Sequence, residues 1–177
     1  MSLTQLRSRG ILNGTISADD LASGVGGKVL QVVSTVITGT VSISTNNAPA
    51  DITGLSATIT PSSASNKILI LYKINYSNAS GDTFVGHIVR GSTNLFQGTG
   101  TGQAGTISFQ TANMNNYWSF EAGGSFLDSP NTTSATTYKI QADNNANLTM
   151  YFNRTARADA NNDPVVPSSI TLMEIAG

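Results

Sequence analysis

Cysteine is absent from the 177 residues, which excludes a disulfide framework and any thiolate-based metal or redox site. Charge is scarce. Asp, Glu, Lys and Arg make up 11% of the chain, against about a quarter in an average soluble domain. The 9 Lys+Arg and 10 Asp+Glu leave a formal net charge of -1. Cations this few and scattered build no basic field for a run of phosphates, so nucleic acid is not an expected partner. No apolar run approaches the ~20 residues that cross a bilayer, so membrane insertion is not expected. The opening stretch MSLTQLRSRGILNG has no continuous apolar segment of the kind that directs secretion. The expectation is a soluble protein made in a cytoplasm. No block recurs at a fixed spacing, which argues against a solenoid or propeller.

What remains is strand-like sequence separated by Ser/Thr/Asn/Gly-rich turns from Lys28 onward. KVLQVVSTVI is rich in β-branched residues, and TVSIS follows a turn at Thr38-Gly39. In ITGLSATIT, Leu55, Ala57 and Ile59 alternate with hydroxyl residues, the pattern of a strand with one buried face. KILILYKINY is apolar on both faces at its start, through Ile68, Leu69, Ile70 and Leu71. It predicts a central strand covered on both sides, with a buried helix as the weaker option. WSFEAGGSFLDSP predicts a strand with a Gly-Gly bulge or bend. FVGHIVRG, TISFQ, TTYKIQA, LTMYFNR and SITLMEI complete a series of about nine strands with no helix of useful length. The expected fold is all-β, a jelly-roll-like antiparallel β-sandwich over residues 28–177. Odd and even strands are expected to separate into two sheets, with the first long strand and SITLMEI as neighbours.

Residues 1–27 read differently. Ser17 can cap a short helical turn with Asp19 and Asp20 at its positive end, and Gly24 can stop it. Leu3, Leu6, Ile11, Leu12, Ile16 and Leu21 give the segment apolar character without a core, alongside Arg7 and Arg9. It is either a frayed terminus or an extended arm that orders on another surface. Low charge density leaves little self-repulsion, which favours a chain meant to sit in an assembly.

Residues that could carry chemistry are few. His87 is the single histidine, and no GxSxG elbow accompanies it. Asp128, Asp143, Asp159 and Asp163 are the acids a glycosidase could use, but nothing in their spacing brings two together. ADNNAN (142–147) and ADANNDP (158–164) offer oxygen ligands, yet neither has EF-hand spacing, and Asn and Asp serve tight turns without an ion. GTGTGQAGT (98–106) lacks the ending of a phosphate-binding loop. The six N-x-[ST] sequons, at Asn13, Asn75, Asn78, Asn131, Asn147 and Asn153, follow from composition. No catalytic residue, metal site or cofactor is therefore expected. The aromatics Tyr117, Trp118, Tyr138 and Tyr151 are candidates for stacking on a glycan, although core packing is the commoner fate of a Trp such as Trp118.

Five phrases in order, KVLQVVST, DITGLSATITPSSASNKILIL, HIVRGSTNL, SFLDSPNTTSATTYKIQA and SSITLMEIAG, resemble a domain frequent in structural proteins of marine and freshwater bacteriophages. GTISADDLASG is similar to the linker that precedes such domains in fibre proteins. The resemblance implies a non-enzymatic part exposed on the virion surface, commonly a homotrimer of β-sandwiches. Only 27 residues precede the domain, too few for a fibre shaft but able to reach ~90 Å if extended. That favours a capsid decoration or head-fibre protein, attached to phage capsid or tail proteins through residues 1–27, over a tail-fibre tip. A host surface glycan is the further partner a tip would imply.

Overall fold

The computed structural model describes residues 28–45, 48–78, 84–99, 109–111, 116–144 and 148–177. The attachment positions Leu3, Leu6, Arg7, Arg9, Ile11, Leu12, Ile16 and Leu21, and most of the glycine-rich stretch 98–106, lie outside the described residues.

Eleven strands are present among the described residues: β1 (Val29–Ile37), β2 (Val41–Ser44), β3 (Ala50–Ile59), β4 (Lys67–Asn78), β5 (Phe84–Arg90), β6 (Thr93–Leu95), β7 (Phe109–Thr111), β8 (Phe120–Asp128), β9 (Thr136–Asp143), β10 (Thr149–Phe152) and β11 (Ser168–Ile175). They form two antiparallel sheets packed as the expected jelly-roll-like sandwich. Ten of them fall on the runs named above; the eleventh, β6, has three residues, too short to show a period.

In the first sheet β4 is the spine. It pairs with β11 over Lys67–Lys73 and with β10 over Tyr76–Asn78. It also pairs with β8 over Ile68–Tyr76. A strand edge holds one partner at a time, so β8 occupies the opposite edge. The lower half of this sheet, near Lys67, therefore runs β1-β11-β4-β8, and the upper half runs β2-β10-β4-β8. The second sheet runs β3-β9-β5-β6, with β7 also on β5. Odd–even alternation fails at β6 and at β1 and β11. The latter two pair directly, as expected, with Val32 opposite Met173.

Alternation sets the core. Leu55, Ala57 and Ile59 of β3 face Ile68, Ile70, Tyr72, Ile74 and Tyr76 of β4, with Ile170, Leu172, Tyr138, Ile140, Met150 and Phe152 completing the cluster. Each fully buried large aliphatic side chain contributes about 1.5–3 kcal/mol. The two sheets are also tied by a polar clamp. Asp128 at the end of β8 accepts hydrogen bonds from the Tyr138 hydroxyl on β9 and Arg90 Nη1 on β5, both at 2.7 Å. Burial, and then the adjoining Asp128 carboxylate, push the Tyr138 hydroxyl above its ordinary range.

Two expectations need correction. Gly123-Gly124 makes no bulge, since β8 follows β4 in unbroken register from Asp128 to Phe120. The glycines instead make room for Tyr72. A Cβ on Gly124 would stand 2.8 Å from the Tyr72 hydroxyl oxygen. A large bulge lies instead in β3, where Asp51 opposes Gln141 but Ser56 already opposes Lys139. Gly54 supplies the left-handed residue there, at φ 83°. Nor is the start of β4 covered on both sides, because Leu69 and Leu71 point away from the core and stay partly exposed.

Candidate functional site

The outer face of the first sheet is treated differently in its two halves. Over the upper half the chain lays a cover. After β10, Asn153 adopts a left-handed backbone at φ 64°. Its side-chain amide donates to the carbonyls of Ile37 and Gly39 at 2.9 and 2.7 Å, and its Oδ1 accepts from the Ser168 hydroxyl at 2.6 Å. The following loop, residues 154–167, crosses β4. Ser77 donates to the Arg154 carbonyl at 2.9 Å. The Arg157 N–H donates to the Asn116 carbonyl at 2.9 Å, on the far side just before β8.

Asp163 closes this loop. Its carboxylate accepts from the Thr155 hydroxyl at 2.5 Å, the Asp159 N–H at 2.8 Å, Arg157 Nε at 3.1 Å and also Arg157 Nη2. Arg157, then Thr155, hold its carboxyl far below the usual carboxylate range. Asp159 is lowered by the Asn162 side chain and the Asn161 N–H. Both acids of the ADANNDP turn thus serve the loop itself. A cation there would have to displace Arg157. Asn75 and Ser77 are buried as a result.

At the far side of this cover lies an aromatic platform. Trp118 is 64% exposed and Tyr117 59%. The Arg157 guanidinium sits 5.2 Å from the Tyr117 ring centroid. Core packing of Trp118 is therefore ruled out. Residues 116–119 form a turn ahead of β8, so strand parity, on which that expectation rested, does not govern them. Tyr151 lies on β10 with Arg154 stacked 4.3 Å from its ring centroid. Tyr138 is the correction among the stacking candidates, since it is buried completely in the core and cannot meet a sugar. The four aromatics do not make one site.

Among the described residues the lower half has no such cover. Register places Val32 opposite Met173, Met173 opposite Leu69 and Leu69 opposite Leu127. These four residues form one outward apolar row across β1, β11, β4 and β8. The next row is Ser34, Thr171, Leu71 and Ser125. Below lies Ile175, opposite Val29 of β1 and Lys67 of β4. Val32 and Val36 are 55% exposed and Leu127 47%. The first two rows are uncharged; Lys67 in the lowest row and the ion pair Lys73–Glu121, at 3.0 Å, border them. Sequence reasoning missed this face because the apolar doubling of KILIL, its visible signal, was assigned to burial within one chain.

The remaining candidates disperse. His87 is buried on β5, opposite Gln141. Asp128 is held by Arg90 and Tyr138, and Asp143 accepts from Thr45 Oγ1 at 2.7 Å. Glu174 is buried, which opposes its ionisation, but hydrogen bonds from Asn66 and Ser62 outweigh that and lower its pKa. No group of three or more His, Cys, Asp or Glu among the described residues could hold a metal. Of the sequon residues, Asn75, Asn78 and Asn153 are buried and present no glycan acceptor, whereas Asn131 is exposed. At the β3 bulge, an open hollow of about 480 Å³ is lined by Asp51, Thr53, Gly54, Ser56, Thr137 and Lys139. Its charges are spent on each other through the Asp51–Lys139 pair at 2.8 Å.

No family model matches the chain, and no curated protein matches it. Among solved structures it is similar to infectious bursal disease virus of the Gx strain, at 12% identity and a TM-score of 0.42, over 83% of this chain and 32% of that one. It is similar to the VP2 subviral particle of the same virus at 10% identity and a TM-score of 0.39, over 83% and 37%. The T13 particle of that virus gives 13% identity and 0.39, over 85% and 36%. The chain thus spans about a third of the length of each structure it matches. At these scores the likeness says nothing of what this chain does.

Proposed function

We propose that this chain is a non-enzymatic structural part of a bacteriophage virion, a capsid decoration or head-fibre protein exposed on the particle. In this reading residues 1–27 attach it to capsid proteins and the sandwich of residues 28–177 stands outward as a homotrimer. The phage assignment rests on the ordered sequence resemblance. The observation that carries the structural role is the fate of the polar side chains. Asp128, Asp143, Asp163 and Glu174 each accept hydrogen bonds from neighbouring side chains that brace the sandwich. A scaffold whose acids are committed to holding loops and sheets together suits a rigid part.

The test is incorporation. Full-length protein carrying Ile11→Asp, Leu12→Asp and Ile16→Asp is expected to fold and self-associate normally yet be missing from purified particles. Undiminished incorporation defeats attachment through this segment. Absence of the unaltered chain from particles defeats the virion role.

A second reading is favoured by the exposure of Trp118 beside Tyr117. Here the protein is a short tail-fibre or carbohydrate-binding module that stacks a host surface glycan on that pair. A glycan array with the unaltered protein and Trp118→Ala decides it. Binding lost in the variant supports this reading, and no binding by the folded parent removes it.

A further inference from the structure

We propose that the lower half of the outer face, which is bare among the described residues and bounded there by the free edges of β1 and β8, is where copies of this chain pack together, three faces turned to a common axis. This rests on the self-association in the reading above and names the surface that performs it.

The first support is the mismatch between sequence and burial. β4 starts apolar on both faces, and its inward Ile68 and Ile70 are buried while its outward Leu69 and Leu71 are not. The row Val32–Met173–Leu69–Leu127 continues that outward surface across the whole sheet. An uncharged partner suits it, because a charged one would lose its hydration there without gaining a counter-ion.

The second support is the edge. β1 runs nine residues without charge, proline or glycine and stands last in its sheet order. Natural edge strands normally carry such devices against pairing. β1 has one register shift, between Val29 and Gln31, and the absence of other devices along Val32–Ile37 fits a strand that lies against a neighbour. β8 is the opposite free edge among the described residues, so β1 of one copy can adjoin β8 of the next.

The third support is dimensional. Four strands spaced about 4.8 Å apart make a wall ~19 Å wide per copy. Three such walls set as a triangle stand ~5.5 Å from their axis, about half the ~10 Å at which sheets pack face to face. The side chains of three copies would meet at the axis. Seven residues of strand length give each face a footprint of ~440 Å², about half of what one partner brings to a standard interface, leaving the two edges to supply the rest.

The test uses the full chain in solution. Sedimentation should give three times the 18.4 kDa chain mass. Val32→Glu with Leu127→Glu should lower that mass about threefold, with unchanged far-UV circular dichroism and cooperative melting. Val32→Cys, a lone thiol in a cysteine-free chain, covers the case in which the double variant misfolds. Its labelling should be slow in the trimer and speed up on dilution to monomer. A dimer, or a trimer that survives both glutamates with Val32→Cys freely labelled, overturns the proposal; the surviving trimer leaves the virion reading standing. A monomeric full chain with a slowly labelled thiol also overturns it, by showing that residues 1–27 of the same chain occupy the face. A monomer with a freely labelled thiol removes self-association from both.

Discussion

The upper and lower halves of one sheet solve the same problem in different ways. In both, β4 turns one side away from the core of the sandwich. The upper half buries its outward Asn75 and Ser77 under residues 154–167, a cover held by Asn153, Arg157 and Asp163. The lower half leaves Leu69, Leu71, Val32 and Leu127 uncovered by its own described residues. The outward residues differ in kind accordingly. The Ser77 hydroxyl lies where a carbonyl of the loop, that of Arg154, accepts its hydrogen bond, and aliphatic groups lie where only packing could serve. Polar cover is local and can be written into the next stretch of chain. Apolar cover needs a second broad surface, which a short loop cannot provide.

The largest effect is expected at the pivot of the upper cover. Asn153→Ala strands the Ile37 and Gly39 carbonyls and the buried Ser168 hydroxyl, and keeps a left-handed backbone on a residue with a Cβ. A loss of about 3 kcal/mol in denaturant unfolding is expected. Asn153→Gly should recover only the part due to backbone strain. A loss equal to that of a surface substitution would mean that the cover is not anchored there.

Gly124→Ala should cost about 1–3 kcal/mol, because the new methyl meets the buried Tyr72 ring. Tyr72→Phe in the same chain should relieve part of it, since the hydroxyl is the nearest atom. No relief would place the conflict in the backbone instead.

Acid should act more locally. Asp163 and Asp159 have lowered pKa values. Their contribution is thus complete above the unfolded carboxylate value of about 4 and is lost as pH falls through the lower folded values. Glu174 and Asp51 are lowered too and add to the same trend. Hydrogen exchange at residues 155–163 is expected to rise below about pH 4 before exchange in β4 and β11 does. Simultaneous loosening of both would deny the cover a separate stability.

The smallest effect belongs to the rim of the bare half. Lys73 and Glu121 are both substantially exposed, so Lys73→Ala should change stability by less than about 0.5 kcal/mol. A larger loss would show that the ion pair is sheltered, which a neighbouring copy could do.

Much of the scaffold was legible because one-sided burial writes a period of two. Leu55, Ala57 and Ile59 were placed inward from alternation alone, and β1 and β11, at opposite chain ends, were expected as neighbours and do pair. β6 was illegible because three residues show no period. The Gly-Gly pair was misread because a gap for a ring from the next strand resembles a bend in sequence. Trp118 and Tyr138 exchanged their expected environments for a related reason. A turn residue has no strand parity, and an aromatic with a hydroxyl can sit in a core when a partner such as Asp128 is buried with it. The outer face of β4 was legible as apolar, but patterning does not say whose atoms cover it.

Pairing of β1 with β11 brings the two ends of the sandwich to one corner, where the Ala176 N–H donates to the Lys28 carbonyl at 2.8 Å. Entry and exit so close together let the body be spliced as a cassette into a surface loop of another polypeptide, with little stretching of the host. It also means that a passenger appended after Gly177 would emerge beside Lys28. Cargo meant to be displayed away from that corner is better carried by a turn at the far end of the sheets.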